Sequence, residues 1–499
     1  MNAFDGELHN RRSIPFAALP QTNPERFAAD LSAAITGGAR LVAYFGLQDH
    51  SGCRLVAVLA DDANAVLGAA TTVVRGTFPS VTPTCPQAQL FEREIWEQCG
   101  VTPVGHPWLR PVRRHPPDHG TGRDTRHDRE AYPFHQITGE DVHEVAVGPV
   151  HAGIIEPGHF RFQARGEEVL DLEIVLGYQH RGVERLLETA PPERVPILAE
   201  SIAGDTVIGH AGACCGAIEA LARSHKSARA QAIRGIALEL ERLANHFGDL
   251  AAIAGDIAYY PGAAVLGRLR GNCLNMLLVL TGNRMGRGLV RPGGVTVDVP
   301  PAMAVDLRDG LIRLLDEADP MLELMLRTAS VQARLEGVGT VPQARCRQLG
   351  VVGPAARAAE VMRDVRHDHP YGVFRFAHLP LTTAWSGDVF ARALVRRMEI
   401  SRSVTFLIEQ LARLPRGTPR VARGALAPAE LAVSLEEGWR GEIAHILLTD
   451  DRGAVRRHKV VDPSFHNWPA LAEAMRGNAI SDFPLCNKSF NLSYAGHDL

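Results

Sequence analysis

GPVHAGIIEPGHFRFQARGEEVLDLEIVLGYQHRGVERL, Gly148 to Leu186, is the stretch on which the fold turns. Its middle part, FRFQARGEEVLDLEIVLGY, reads as a hairpin, and His143 to Gly148 reads as a strand ahead of it. Between these strands a loop carries His151, Glu156 and His159, three side chains that can exchange protons near neutral pH when their surroundings ask for it. The same loop can also use them as structural hydrogen-bonding groups. Downstream, His180 and Glu184 are four apart and share a face if the chain is helical from Arg181.

After this β segment the pattern becomes helical. Pro192 to Arg223 and Ala228 to Ile257 read as long helices. In the second, Ile233, Ile236, Leu240, Leu243, Phe247 and Leu250 recur at intervals of three and four, one broad apolar stripe. Glu239, Arg242, His246, Asp249 and Asp256 form a polar stripe beside it. A buried charged stripe must be paired, or it costs several kcal/mol. Further helices are expected at Gly267 to Arg287, Ala304 to Leu335, Pro354 to Arg366 and Asp388 to Leu414. A hairpin is expected around Asp450 to Gly453, followed by a loop-rich tail from Asp462 to Leu499.

Ahead of the β segment, LVAYFGL and RLVAVLA, within Arg40 to Ala60, read as a hairpin. Leu90 to Gly100 reads as a short helix stopped by glycine. Residues 114–140, rich in His, Asp, Arg and Gly, read as a linker or a docked extended segment. The expected fold class is therefore α+β. A small N-terminal α/β domain, residues 1–113, precedes a helix-dominated domain with peripheral strands, residues 141–499.

Net charge is −3 over 499 residues, which gives no long-range field for nucleic acid. No apolar stretch reads as long enough to cross a bilayer, and the start lacks the apolar core of a signal peptide. Eight cysteines without framework spacing point to a reducing cytoplasm, and the adjacent Cys214 and Cys215 read as small buried residues. His210 reads as a core histidine. The glycines of Gly286 to Gly294 match neither a phosphate loop nor a dinucleotide fingerprint, so nicotinamide binding by this chain is not expected.

GPVHAGIIEPGH and LGYQHRGVERL resemble the large subunit of membrane-bound (group 4) nickel–iron hydrogenases and formate hydrogenlyase, and its relative, the quinone-site subunit of respiratory complex I. LELERLANHFGDLAAIAGD, LTGNRMGRGLVRPGGV, DVFARALVRRMEISRS, EGWRGEI and DPSFHNW continue that resemblance to the end of the chain. FEREIWEQCGVTPVGHPWLRPVR, Phe91 to Arg113, resembles the small hydrophilic subunit of complex I, a module fused in this order in many of these hydrogenases.

The resemblance implies two C-x-x-C pairs that hold nickel and iron, and this chain has no C-x-x-C. The first ligand motif falls on ESIAGDT, with Ala203 and Thr206 at the cysteine positions. The second should follow Asp482 to Leu485, and no cysteine lies beyond Cys486. Without soft thiolates the nickel–iron centre is expected to be absent. A quinone is the replacement the complex I resemblance implies. His151 fits the histidine of its G-P-x-H motif and Asp256 fits an aspartate after its long helix. The quinone-binding tyrosine falls near Gly204 and is not a tyrosine here. Arg440 matches an arginine that overhangs the hydrogenase metal.

The resemblance thus implies a peripheral-arm subunit of a membrane-bound, complex I-like oxidoreductase, cytoplasmic and attached to the membrane through partners. Those partners are a small iron–sulfur subunit, carrying a cluster, and membrane subunits including an antiporter-like one. Glu156, His151, Asp256 and His159 are the catalytic candidates. His151, Asp256 and Arg440 would line the quinone or acceptor cavity, and His180 and Glu184 would meet the iron–sulfur partner. The rival reading is a non-catalytic scaffold in such a complex, and an active hydrogenase is the reading least compatible with Ala203 and Thr206.

Overall fold

The structure, a computed structural model, describes residue 4 and residues 8–49, 52–113, 132–153 and 155–499. A short strand, β1 (Arg12–Pro15), comes first, then helix α1 (Pro24–Thr36). The Asn23 side chain accepts the Arg26 N–H and Pro24 opens the helix, a complete N-terminal signal. Strands β2 (Arg40–Asp49), β3 (Gly52–Asp61) and β4 (Val66–Val74) form an antiparallel meander. After β5 (Thr77–Pro79), helix α2 (Gln89–Cys99) ends at Gly100, whose φ of 70° is left-handed, and β6 (Thr102–Val104) pairs with β5. Between β6 and the next strand, residues 114–131 of the expected linker lie outside the described residues. Tyr132 and His135 beyond them dock on the next sheet through Glu173.

That sheet comprises β7 (Val142–Val147), β8 (His159–Arg165) and β9 (Glu168–Val175), the hairpin legible in the sequence. Helices α3 (Val183–Thr189), α4 (Val195–Ala199), α5 (Val207–Leu221), α6 (Ala228–Asp256) and α7 (Tyr260–Thr281) follow. After a ribbon of β10 (Val290–Arg291) and β11 (Gly294–Val295) come α8 (Pro301–Arg327), α9 (Ala329–Leu335), α10 (Gln343–Leu349), α11 (Gly353–Arg357), α12 (Val365–Asp368) and α13 (Val389–Ala412). The core is built around α6, against which α5, α7, α13 and a later helix pack. Its apolar stripe is buried throughout, from Ile233 to Leu250.

The chain then forms β12 (Glu430–Gly438), β13 (Gly441–Thr449) and β14 (Val455–Val461), and β1 adds antiparallel to β12. The first strand of the chain thus belongs to a sheet of the second half. Helices α14 (Pro463–Met475), α15 (Phe483–Phe490) and α16 (Tyr494–Asp498) close the chain. The fold is a β-rich N-terminal part followed by a helix-rich part with peripheral strands, as the sequence indicates.

Several element readings need correction. Pro192 to Arg223 is two helices, because the backbone from Glu200 to Thr206 is taken by other groups. Asn245 and Trp439 both donate to the Asp205 carbonyl, at 3.0 and 3.1 Å. Glu241 then accepts the Ile208 and Gly209 N–H groups at 2.7 and 3.1 Å and starts α5 afresh. Ala304 to Leu335 breaks at Thr328, whose hydroxyl donates to the Leu324 carbonyl. Pro354 to Arg366 is two short turns with Glu360 in left-handed backbone between them. The expected loop-rich tail is largely helical: Asp462 caps α14 and Ser493 caps α16, while Pro469 and Gly477 obscure the periodicity. One helix, α7, is long and apolar enough to cross a bilayer by length and composition, although no such stretch was expected. It carries Arg268 and Arg270, and packs on α6 and α8.

The two halves are joined by buried ion pairs. Arg40 binds Glu442 with two contacts of 2.5 Å and also Asp62 at 2.9 Å. Lys459 reaches both oxygens of Glu94 at 2.8 and 2.7 Å. Arg113 pairs with the same carboxylate and donates to the His497 carbonyl at 2.7 Å.

Candidate functional site

Ala203 and Thr206, where a thiolate-held metal would need sulfur, are both buried. The Thr206 hydroxyl is fully used: it donates to Asp205 and accepts from Trp439 and Arg440. Arg440 sits in the tight turn between β12 and β13. That turn passes close to another backbone: a Cβ on Gly441, whose φ is 131°, would lie 2.8 Å from the Gly353 nitrogen.

The Arg440 guanidinium meets Asp205 in a two-point fork, Nη1 to Oδ1 at 2.6 Å and Nη2 to Oδ2 at 2.8 Å. Its Nε donates to the Asn491 carbonyl at 2.5 Å, and its carbon stacks 3.9 Å from the Trp439 ring. Burial opposes both charges, yet each holds the other charged: Asp205 lies below the usual carboxylate range and Arg440 above its ordinary value.

Glu156 stands beside this pair. Its carboxylate accepts the Tyr494 N–H at 3.3 Å. Burial pushes its carboxyl up, against the pull of Arg440. It is the one sequence-derived candidate whose carboxyl is both half-buried and under the field of that guanidinium. His151 and His159 each bond to their own loop, His151 Nε2 lying 2.9 Å from the Gly158 carbonyl and His159 Nδ1 3.1 Å from that of Gly148, while His159 Nε2 is buried without a partner. Asp256 ends α6 and is paired with Lys488 at 2.5 Å.

From the polar stripe of α6, Asp249 reaches the site, as Asn245 does through the Asp205 carbonyl. Asp249 accepts Arg396 at 2.6 Å and the Asn491 amide at 2.5 Å, and Asn491 in turn accepts from Arg440. Farther back on the stripe, His246 lies 2.7 Å from Glu399, which also binds Arg357 at 2.6 Å. Arg242 and Arg366 converge on Glu239. Every charge on this part of the stripe is matched, as burial requires. Glu241, pushed up to about 8 by burial despite two backbone N–H partners, lies one helical turn from Asn245 and touches the same loop. Sequence reasoning missed Asp205, Glu241 and Asn491. The helical spacing of Glu241 with Asn245 is the signal it could have used.

Glu184 is buried and bound by Arg457 at 2.7 Å and Lys459 at 3.0 Å, both on β14 of this same chain. His180 lies 2.7 Å from the Asp498 carbonyl, and burial lowers its pKa. Cys214 and Cys215 are free and fully buried.

The donor set does not fit nickel and iron. Ala203 offers no ligand and the Thr206 oxygen is occupied. The returning segment Asn491 to Gly496 carries no thiol. For a quinone, Arg440 and Glu156 are the polar groups at this loop, and Arg440, like His151 and Asp256, already has partners.

A helix-rich part with peripheral strands, preceded by a β-rich module, defines a class shared by hydrogenases and respiratory dehydrogenases. The pattern of the respiratory-chain NADH dehydrogenase 49 Kd subunit matches residues 256–428 and 419–498, and that of the 30 Kd subunit matches residues 30–132. The chain is 30% identical over 436 residues to hydrogenase-4 component G of Escherichia coli, covering 84% of this chain and 76% of the relative. Formate hydrogenlyase subunit 5 of the same organism is 30% identical over 436 residues, covering 84% and 77%. An NADH-quinone oxidoreductase subunit of Herpetosiphon aurantiacus is 31% identical over 347 residues, covering 68% and 94%. The chain belongs to the family of complex I and hydrogenase large subunits, as a fusion of 30 kDa and 49 kDa modules, and so to the subunits of membrane-bound oxidoreductase complexes.

Proposed function

We propose that this chain is a peripheral-arm subunit that has given up hydrogen chemistry and passes electrons from an iron–sulfur partner to a quinone or another acceptor. The observation that carries this reading is the Arg440–Asp205 fork over Thr206, at the loop where the family's hydrogenases hold their metal. A guanidinium and a neighbouring protonatable carboxyl suit an acceptor that gains electrons and protons together: Arg440 would meet the developing negative charge and Glu156 would supply a proton. The matched charges from Asp249 back to Glu239 support a route by which such a reaction is coupled to ion movement in neighbouring subunits. Attachment to the cytoplasmic face of a membrane would come through those partners, one of them antiporter-like.

The scaffold reading draws on one specific observation. His151, His159, Asp256 and Glu184 all have structural partners, so a chain that merely held its neighbours together would look similar at those positions. The deciding experiment is purification of the native complex in mild detergent. Co-purification of an iron–sulfur subunit, with quinone reduction lost on Arg440→Gln but assembly kept, supports the oxidoreductase reading. Assembly without any dependence of turnover on Arg440 or Glu156 favours the scaffold. A partnerless monomer from native membranes overturns both.

A further inference from the structure

Three metal-binding side chains converge where α5 meets the C-terminal sheet, away from the Arg440 loop. Cys214 is on α5, His445 on β13 and His458 on β14. All three are buried, and one donor atom from each lies within 4.8 Å of the other two. The strand register makes this convergence unavoidable. His445 pairs with Val460 and His458 with Leu447, so the two histidines are diagonal neighbours on one face of the sheet. That face packs on α5, and Cys214 stands one helical turn beyond His210.

The hydrogen bonds that would orient these ligands are already in place. His210 Nε2 lies 2.9 Å from Asp462 Oδ2, and His210 Nδ1 lies 3.3 Å from His445 Nε2. With Nε2–H donated to the aspartate, His210 Nδ1 accepts from His445 Nε2–H. This fixes the lone pair of His445 on Nδ1, which points at His458 Nε2, 2.8 Å away. A carboxylate fixing a histidine tautomer through its far nitrogen is what metal-ligating histidines need. His458 Nδ1 is buried with no partner, so nothing in the protein holds that ring's proton on one nitrogen, and with the proton on Nδ1 the Nε2 lone pair is free for an ion.

We propose that Cys214, His445 and His458 form a zinc site, with His210 and Asp462 as its orienting relay. The donor set is one soft and two borderline ligands, the set that selects zinc over magnesium or calcium. Binding would release the Cys214 thiol proton to solvent, shift the His458 proton from Nε2 to Nδ1, and bond the thiolate, His445 Nδ1 and His458 Nε2 to the ion. The two ring nitrogens would have to part from 2.8 Å to roughly 3.3 Å, the edge of a tetrahedron with bonds of about 2.0 Å. A fourth position remains for water or a fourth side chain. The site ties α5, which begins at the remodelled loop, to the C-terminal sheet, and it does not depend on whether a quinone binds beside Arg440.

The test is metal analysis of the full chain purified within its complex, followed by chelation and titration with cobalt(II) alone. The expected result is about one zinc per chain as isolated. After chelation, cobalt should raise a thiolate-to-cobalt charge-transfer band that one equivalent of zinc abolishes. Cys214→Ser should lose the band and His458→Gln should weaken binding at least tenfold. Because the wild-type spectrum is itself a readout, a variant that fails to fold does not decide the matter. Wild-type protein with neither zinc nor a cobalt band overturns the proposal, and so does a band that survives Cys214→Ser.

Discussion

Arg440 and Asp205 close on each other with two hydrogen bonds, 2.6 and 2.8 Å long, and Arg440 also reaches Thr206, a position that the resemblance to hydrogenases gives to a cysteine. The pair brings together the β12–β13 turn, the loop before α5 and the C-terminal segment at Asn491. The charge pair thus cross-links those three segments.

Removing one partner should therefore cost stability. Asp205→Asn keeps an acceptor but leaves the Arg440 charge buried and unmatched. Because Asp205 is about one-third exposed, the expected loss is discounted to about 2 kcal/mol, below the 3–5 of a fully buried pair. Urea unfolding measures it. A change under about 0.5 kcal/mol would mean that the fork does not hold the loop.

Nickel should be absent. Elemental analysis of the purified complex is expected to find none, since Ala203 and Thr206 supply no thiolate. About one nickel per chain, or hydrogen uptake by the complex, would contradict this.

Glu156→Gln preserves shape and hydrogen bonding but removes the titrating proton. If Glu156 delivers protons to an acceptor, electron transfer through the complex should fall by roughly 10²-fold with assembly intact. Unstable assembly with near-normal turnover in the remainder would assign it a structural role. His151→Gln and Asp256→Asn, whose partners lie in their own loop and at Lys488, should affect stability more than turnover.

Glu241 gives a pH dependence with a definite sign. Its carboxyl is raised from 4.5 to about 8 in the folded protein. Between those values the folded state binds more protons than the unfolded state, so this residue lowers stability as pH rises through that window. Glu241→Gln should remove that contribution. Thermal unfolding at several pH values should show the variant gaining on the wild type from about pH 5 to about pH 8. Parallel curves would show that Glu241 stays ionised on its two N–H donors.

Trypsin should cut first within residues 114–131, which contain Arg123, Arg126 and Arg129. The two fragments should nonetheless co-elute on gel filtration. Strand β1 is paired with β12, and Arg40–Glu442 and Lys459–Glu94 are buried across the junction. Separation of the fragments without denaturant would show that these contacts are weak. Resistance to trypsin would place the segment against the body of the protein.

What the sequence determined by itself was whatever depends on neighbours along the chain. The helix at Gln89–Cys99 with its glycine stop, the hairpin of β8 and β9, and the apolar stripe of α6 were all legible from spacing and end signals. So was the absence of any C-x-x-C pair, a matter of residue identity. The tertiary structure decided the rest, because buried charges are settled by partners remote in sequence. Nothing near Asp205 announces that Arg440, 235 residues away, will clamp it, nor that Glu241 will break an apparently continuous helix by accepting its N–H groups. His151 and Asp256 carried the right chemistry for a site but found partners in Gly158 and Lys488. Asp249, on the same stripe as Asp256, reached the site instead: position along a helix fixes which face a side chain shares, and packing alone fixes what that face meets.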